Sequence, residues 1–529
     1  MPHRTRLAWA GLVFLYYTAH HETVGMIRKN PRAVELVCQR HCAYYKPVAK
    51  EEGACEGLKV LQSFIEAHPE SMAHFPSKEN NPFKDRYHHI LHQTLCRYCE
   101  FLIDGCDFTD PAHTGHPLPC GGYVAADLLL SKTSKVVDRL MDTLLSREAY
   151  VVLAPHCALK HLERPYLYDI KHDELYELDQ GGFEFLRKCD GTQLLSALSV
   201  DKDFLETCLK EHLLVIGPQK TRRRPLLRRS PVPSLRYLEL QLTSRCNLKC
   251  KHCYLGEPTK ATLSLSEVLS VLEELERMQG LRILFSGGEP LLYPHLKTLN
   301  DALPRFAMRK VLLTNGTLIR EESFPAWCHF DEIQFSLDGL KEGHEAIRGQ
   351  GTFEKTMAGI HAARDKGMPI SIATMVHRYN LTEFETLAGW IEDLQALEWS
   401  IDVPCATGRL AENPGLWVTP EQGAPFLKYA TGGSYHGADE PFACGYHLCT
   451  ITAEGKILKC GFFDESPLGS LEEGLDVSWK RARHVPLSEL ECASCPSLSE
   501  CKGGCRFRAE SPLGKDPVMC ALYGAENNQ

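Results

Sequence analysis

Between residues 235 and 410 six short apolar runs take turns with helical segments, and this alternation restricts the fold more than any other feature of the chain. The runs are Tyr237 to Leu242, Arg282 to Phe285, Lys310 to Leu313, Glu332 to Phe335, Ile370 to Met375 and Trp399 to Val403. Helical patterns between them include Leu265 to Met278, Thr352 to Asp365 and Leu381 to Leu394. Strands separated by crossover helices pair in parallel. The expected fold is α/β, a partial (β/α)6 barrel with its chemistry at the C-terminal ends of the strands. At 529 residues the chain is too long for one core, so further domains should flank the barrel.

Cysteine sets the chemistry. There are 23, an odd number, bunched at short spacings rather than spread as loop staples. That favours metal or cluster ligation in a reducing compartment, and hence the cytoplasm. A net charge of −9 removes the global basic field on which most sequence-independent nucleic-acid binding depends. No apolar run of about 18 residues is available to cross a bilayer, so neither nucleic acid nor a membrane is an expected partner. Arg4 and Arg6 before the apolar stretch Leu7 to Ala19 look superficially like a secretory signal. Against this, export would oxidise the clustered thiols and no small-x-small cleavage site follows, so the stretch reads as an overextended or merely amphipathic N-terminus, with Met1 and Met26 both open as the start.

Directly after the first barrel strand stand Cys246, Cys250 and Cys253, spaced Cys-x3-Cys-x2-Cys and followed by Tyr254. Three thiolates on one loop can hold three irons of a 4Fe–4S cluster and leave the fourth open. A structural zinc site short of one ligand is the competing reading. Ser286-Gly287-Gly288-Glu289-Pro290 follows the second strand, Thr314-Asn315-Gly316-Thr317 the third, and Phe335-Ser336-Leu337-Asp338-Gly339 the fourth.

In these motifs the chain resembles the radical S-adenosylmethionine (radical SAM) superfamily. The resemblance implies a cluster whose open iron binds S-adenosylmethionine and whose reduction yields a 5′-deoxyadenosyl radical. It assigns the methionine amino group to Gly287, Gly288 and Glu289, the carboxylate or ribose to Ser336 and Arg348, and the vicinity of adenine to Tyr254. An external low-potential reductant such as ferredoxin or flavodoxin is implied as well.

Residues 430–525 are loop-rich, with Cys444, Cys449 and Cys460, then Cys492-x2-Cys495-x5-Cys501-x3-Cys505, then Cys520. This resembles the SPASM domain appended to radical enzymes that act on peptides; two zinc ribbons are the alternative. The family pattern implies two auxiliary 4Fe–4S clusters, one on Cys444, Cys449, Cys460 and Cys505, the other on Cys492, Cys495, Cys501 and Cys520. Three clusters in all are thus expected, one catalytic and two auxiliary.

Residues 148–217 contain a hairpin, Tyr166 to Ile170 and Glu174 to Leu178 about Lys171-His172-Asp173, and then helical stretches. They resemble the winged-helix-like peptide chaperone of pyrroloquinoline-quinone biosynthesis, also called the RiPP recognition element, which would bind a precursor's leader by strand addition. A generic winged-helix spacer is the other reading. Residues 218–234, with Arg222, Arg223, Arg224, Arg228 and Arg229, read as a solvated basic linker.

Residues 1–145 read as mainly helical, ending in a periodic helix around Ala125 to Leu145. Cys96, Cys99, Cys106 and Cys120 offer an additional cluster or zinc site, and Cys38, Cys42 and Cys55 three more thiols; a free-thiol helical bundle is the alternative. His88, His89 and His92 read as solvent-facing. Cys157, Cys189, Cys208, Cys328 and Cys405 read as small apolar fillers.

The whole implies a radical SAM maturase of a ribosomally made precursor peptide, forming a thioether, a carbon–carbon crosslink or an oxidised side chain. Alternatives are a radical enzyme of small-molecule or haem-type cofactor biosynthesis and a non-enzymatic iron–sulfur electron carrier. In sulfatase maturases an aspartate follows the ligating cysteine as catalytic base, whereas Gly461 follows Cys460 here. Formylglycine formation is therefore disfavoured, with Asp464 the one weak candidate base.

Overall fold

The computed structural model describes residues 30–42, 55–75, 85–99, 106, 108, 119–132, 134–145, 149–218, 220, 222–223, 227–432 and 440–524. The signal-like stretch of residues 1–19 and Met26 lie outside them. The chain divides into two compact units, residues 1–149 with 216–219, and residues 150–215 with 220–529.

The first unit is helical. Its main helices are Glu56–Ala67, His88–Thr94, Gly121–Leu130 and Ser134–Leu145, around buried Leu61, Phe64, Leu91, Ala126, Leu129 and Leu140. The single periodic helix expected around Ala125 to Leu145 is two helices. Ser131 ends the first, its hydroxyl donating to Asp127 O at 2.9 Å and so competing with the helical ladder. His88 is half exposed, with Nδ1 2.9 Å from the Tyr123 hydroxyl.

The second unit opens with β1 (Tyr150–Leu153), β2 (Cys157–His161), β3 (Pro165–Asp169), β4 (Glu174–Glu177), β5 (Asp190–Leu194) and β6 (Leu214–Gly217). β2, β3 and β4 form an antiparallel sheet in that order, and β3 and β4 are the expected hairpin. Asp169 shapes its turn by accepting from the N–H groups of Lys171 and His172.

The barrel strands are β7 (Tyr237–Thr243), β8 (Arg282–Gly287), β9 (Arg309–Thr314), β10 (Glu332–Ser336), β11 (Ile370–Met375) and β12 (Trp399–Asp402). They are parallel and adjacent in sequence order, as an unbroken series of right-handed crossovers requires. Helix Leu265–Arg277 shows how local signals meet global packing. Ser264 and Glu267 form a capping box, and Val268, Val271, Leu272 and Leu275 make one buried face. Leu238, Leu240 and Leu242 alternate along β7 towards the same core.

Residues 430–525 are less loop-like than their composition suggests. β13 (Leu448–Ile451) pairs in parallel with β7, and β14 (Lys456–Leu458) and β15 (Gly469–Ser470) extend the sheet to nine strands. Buried Cys449, Ile451 and Ile457 give these strands their apolar face, too short a pattern to recognise in sequence.

Residues 150–215 are fixed to the base of the barrel. Buried Lys160 donates to Gly280 O at 2.7 Å and Ala307 O at 2.8 Å, while Arg309 donates to Ile170 O and Lys171 O and pairs with Glu332. The expected solvated linker is contradicted at Arg223. Its guanidinium donates to the carbonyls of Leu153, Ala154, Pro155 and Cys157, because it is the one donor fork long enough to serve four carbonyls of a single turn. Arg224 lies outside the described residues.

Candidate active site

One cavity of 610 Å³ opens at the C-terminal ends of the barrel strands, a volume ordinary for a cofactor site. Cys246, Cys250, Cys253, Tyr254, Gly287, Gly288, Glu289, Ser336 and Arg348 all line it, so the structure brings together the cysteine loop and the residues assigned to the nucleotide. Asp464 lines it too, but its side chain is mostly exposed and paired with Lys456 at 2.8 Å.

The loop that carries the three cysteines is held from several sides. Leu248 N–H donates to Cys246 Sγ at 3.4 Å, and burial pushes the Cys246 thiol up to about 11. Lys251 N–H donates to Ile347 O at 2.8 Å, and Arg409 binds Cys253 O and Cys250 O through its backbone and guanidinium. Gly287 and Gly288 also have a packing role. A Cβ on Gly287 would stand 2.3 Å from Thr243 O, and one on Gly288 2.4 Å from Arg245 O, so their bareness lets β8 close against the start of the cysteine loop. Glu289 is fully buried and accepts from Thr314 Oγ1 at 2.7 Å, Asn315 N at 2.9 Å and Leu291 N at 3.1 Å. It ties the ends of β8 and β9, and burial raises its carboxyl to about 6 despite those bonds.

On the opposite wall Arg348 donates through Nε to Asp338, and its Nη2 lies 3.5 Å from His252 Nε2. Asp338 also accepts from Met375 N at 2.9 Å. The carboxyl of Asp338 is buried, which opposes ionisation, yet the Arg348 guanidinium holds it well below the usual range. Burial in turn pushes His252 down to about 3 and His344 down to about 4, so both rings are neutral. The Arg348 guanidinium faces Cys250 Sγ from 4.0 Å, and that of Arg409 adds a second positive charge near the same thiol. These histidines escaped sequence reading, since isolated His residues carry no period.

Glu239 also escaped it. It accepts from the Tyr254 hydroxyl at 3.1 Å and Ser286 Oγ at 2.7 Å, and its other oxygen accepts from Thr450 at 3.1 Å. The signal was there: Glu239 and Gln241 are polar at alternate positions of an otherwise apolar strand, the pattern of side chains that point into a barrel. Tyr254 stacks obliquely on Phe462, ring centroids 5.0 Å apart.

Cys492, Cys495, Cys501 and Cys520 line one small cavity of 20 Å³ with Gly503 and Asp516. Cys444, Cys460 and Cys505 lie within electrostatic reach of one another, whereas Cys449 on β13 donates to Leu458 O at 3.0 Å and is near Cys460. Cys157, Cys189 and Cys208 are buried as fillers would be. Cys405 is no apolar filler: it lines the large cavity and its thiol is hydrogen-bonded to the free thiol of Cys505, because the loop after β12 folds back over the strand ends.

The residues fit an iron–sulfur cluster with an open iron. Three thiols project from one loop into a cavity, and the adjoining buried His252 Nδ1 has no partner among the described residues. The radical SAM family model matches residues 240–391. The mycofactocin maturase MftC of Mycobacterium tuberculosis (strain CDC 1551 / Oshkosh) is 30% identical over 53% of this chain and 81% of its own. The PqqA peptide cyclase of Gluconobacter oxydans (strain 621H) is 27% identical over 55% of this chain and 92% of its own. Streptococcus suis SuiB, solved in complex with the precursor peptide SuiA, superposes with a TM-score of 0.51 at 15% identity, covering 69% of this chain and 98% of that one.

Proposed function

Because the chain belongs to the radical SAM superfamily, and is thus an enzyme that binds a 4Fe–4S cluster and S-adenosylmethionine, we propose that it matures a ribosomally made precursor peptide. One observation carries this reading. The cavity that holds the cysteine loop is walled on its far side by Cys405, Gly461, Phe462 and Asp464, so a substrate in it lies between the barrel and the cysteine-rich C-terminal block.

In this reading Cys246, Cys250 and Cys253 would hold the catalytic cluster, and Gly287, Gly288, Glu289, Ser336, Arg348 and Tyr254 would surround the nucleotide. When bound, the two supply a 5′-deoxyadenosyl radical that removes a hydrogen atom from the peptide. Arg348, together with Arg409, balances the thiolates, and Arg348 orients the nucleotide carboxylate. Neutral His252 adds bulk without a further charge. Cys444, Cys449, Cys460 and Cys505 would hold one auxiliary cluster and Cys492, Cys495, Cys501 and Cys520 the other, groups able to accept an electron. Asp464 takes the accompanying proton.

Residues 150–215 bind the leader along the exposed edge of β4. Deleting them would strip Lys160 and Ile170 from the barrel base and confound loss of binding with unfolding. A photo-crosslinking residue at exposed Glu177 avoids this. A short peptide encoded in a neighbouring reading frame should become crosslinked there, and should lose two hydrogens when incubated anaerobically with S-adenosylmethionine and dithionite. If 5′-deoxyadenosine is released with a porphyrin-type substrate while no such peptide is altered or crosslinked, the peptide reading is wrong.

A further inference from the structure

The first unit takes no part in the chemistry above, yet it holds seven cysteines. Helices Glu56–Ala67 and Gly121–Leu130 meet in backbone contact at Gly57 and Gly122. A Cβ on Gly57 would stand 2.6 Å from Gly122 Cα, and one on Gly122 2.5 Å from Gly57 Cα. This crossing brings the two N-caps, Cys55 and Cys120, side by side with their thiols hydrogen-bonded.

Both sulfurs are served by helix N-termini. Leu58 N–H donates to Cys55 Sγ at 3.4 Å with Gly122 N–H as a second donor, and Tyr123 N–H bonds to Cys120. Donors of this kind, at helix N-termini, favour sulfur in its metal-binding thiolate form. Cys96 stands within electrostatic reach of Cys120, Cys106 and Cys99. The fourfold grouping expected from sequence is thus redrawn: Cys55, which spacing placed with Cys38 and Cys42, is the direct partner of Cys120.

We propose that Cys55 and Cys120, with Cys96 and Cys106, bind a thiophilic metal centre in the first unit, additional to the clusters of the barrel and the C-terminal block. Three separate segments supply the four thiols, and the glycine crossing pre-orders two of them. Backbone N–H groups aimed at sulfur are the usual second shell of a thiolate-bound metal.

Elemental analysis of full-length protein purified without oxygen tests this. The pair Cys55→Ser with Cys120→Ser, and the pair Cys96→Ser with Cys106→Ser, should each lower the content by about four irons, the loss of one 4Fe–4S cluster. Cys208→Ser, at a buried filler, should leave the content unchanged. Should either pair fail to fold, differential alkylation of the unaltered protein decides. The four thiols should resist iodoacetamide until a chelator is added and react afterwards. Unchanged metal in both pairs, equal alkylation with and without chelator, or a Cys55–Cys120 disulfide in the anaerobic protein would overturn the proposal.

Discussion

Arg348 closes on Asp338 at the wall of the cavity, and the carboxylate it neutralises is sealed completely from solvent. The pair joins the helix Lys341–Arg348 to the end of β10, and through Met375 to β11, so one charge interaction locks three elements around the cysteine loop.

Removing Arg348 leaves Asp338 ionised and alone. Arg348→Ala should cost about 3–5 kcal/mol of stability, the usual penalty for an orphaned buried charge. Arg348→Met combined with Asp338→Asn should recover much of it. Denaturant midpoints of the anaerobic protein measure both, and a double variant no more stable than Arg348→Ala would refute the pairing argument.

Gly288→Ala places a methyl group 2.4 Å from Arg245 O, one residue before Cys246. The cysteine loop must move, and a displacement near 1 Å at a reacting centre costs about 100-fold in rate. Release of 5′-deoxyadenosine should fall by that order with the iron content retained. Wild-type rates in this variant would show that the contact is not limiting.

Lys160 is buried in the barrel base, and burial lowers its ammonium to about 8 from 10.5. Between those values the unfolded chain binds the extra proton, so stability should rise with pH across this window. Lys160→Met removes that rise and leaves two carbonyls unpaired, at about 1–3 kcal/mol each. Melting temperatures across the window, for the wild type and the variant, should diverge as pH increases; parallel curves would contradict the assignment.

His344 behaves similarly at lower pH. Buried and held down to about 4 from 6.5, it is neutral when folded, so the unfolded chain takes up protons first as the solution is acidified. Stability should therefore fall between 6.5 and about 4, and His344→Gln should lessen that fall. An identical acid slope in the variant would place the sensitivity elsewhere.

Much of the site was legible in the chain. Cys246, Cys250 and Cys253 share a loop seven residues after β7 begins, and the glycine and Ser-Leu-Asp-Gly turns recur at the ends of β8 and β10, so a local pattern placed them on one rim. Glu239 was legible in principle, from its alternation with leucines. His252 and His344 were not, because their role comes from burial around Asp338. Cys405 was misread because nothing in its flanks shows that the loop after β12 returns to Cys505. β13 was missed because four residues in an otherwise irregular block carry too little period to mark a strand.

Sequence by itself determined the parallel order of the barrel strands and the three-cysteine loop, since both follow from periodicity and spacing within short stretches. Tertiary structure alone decided which distant groups meet: Arg348 with Asp338, Lys160 with the carbonyls of the barrel base, Cys55 with Cys120. Those encounters depend on how helices and strands pack, and packing sums many weak contacts whose partners lie far apart along the chain.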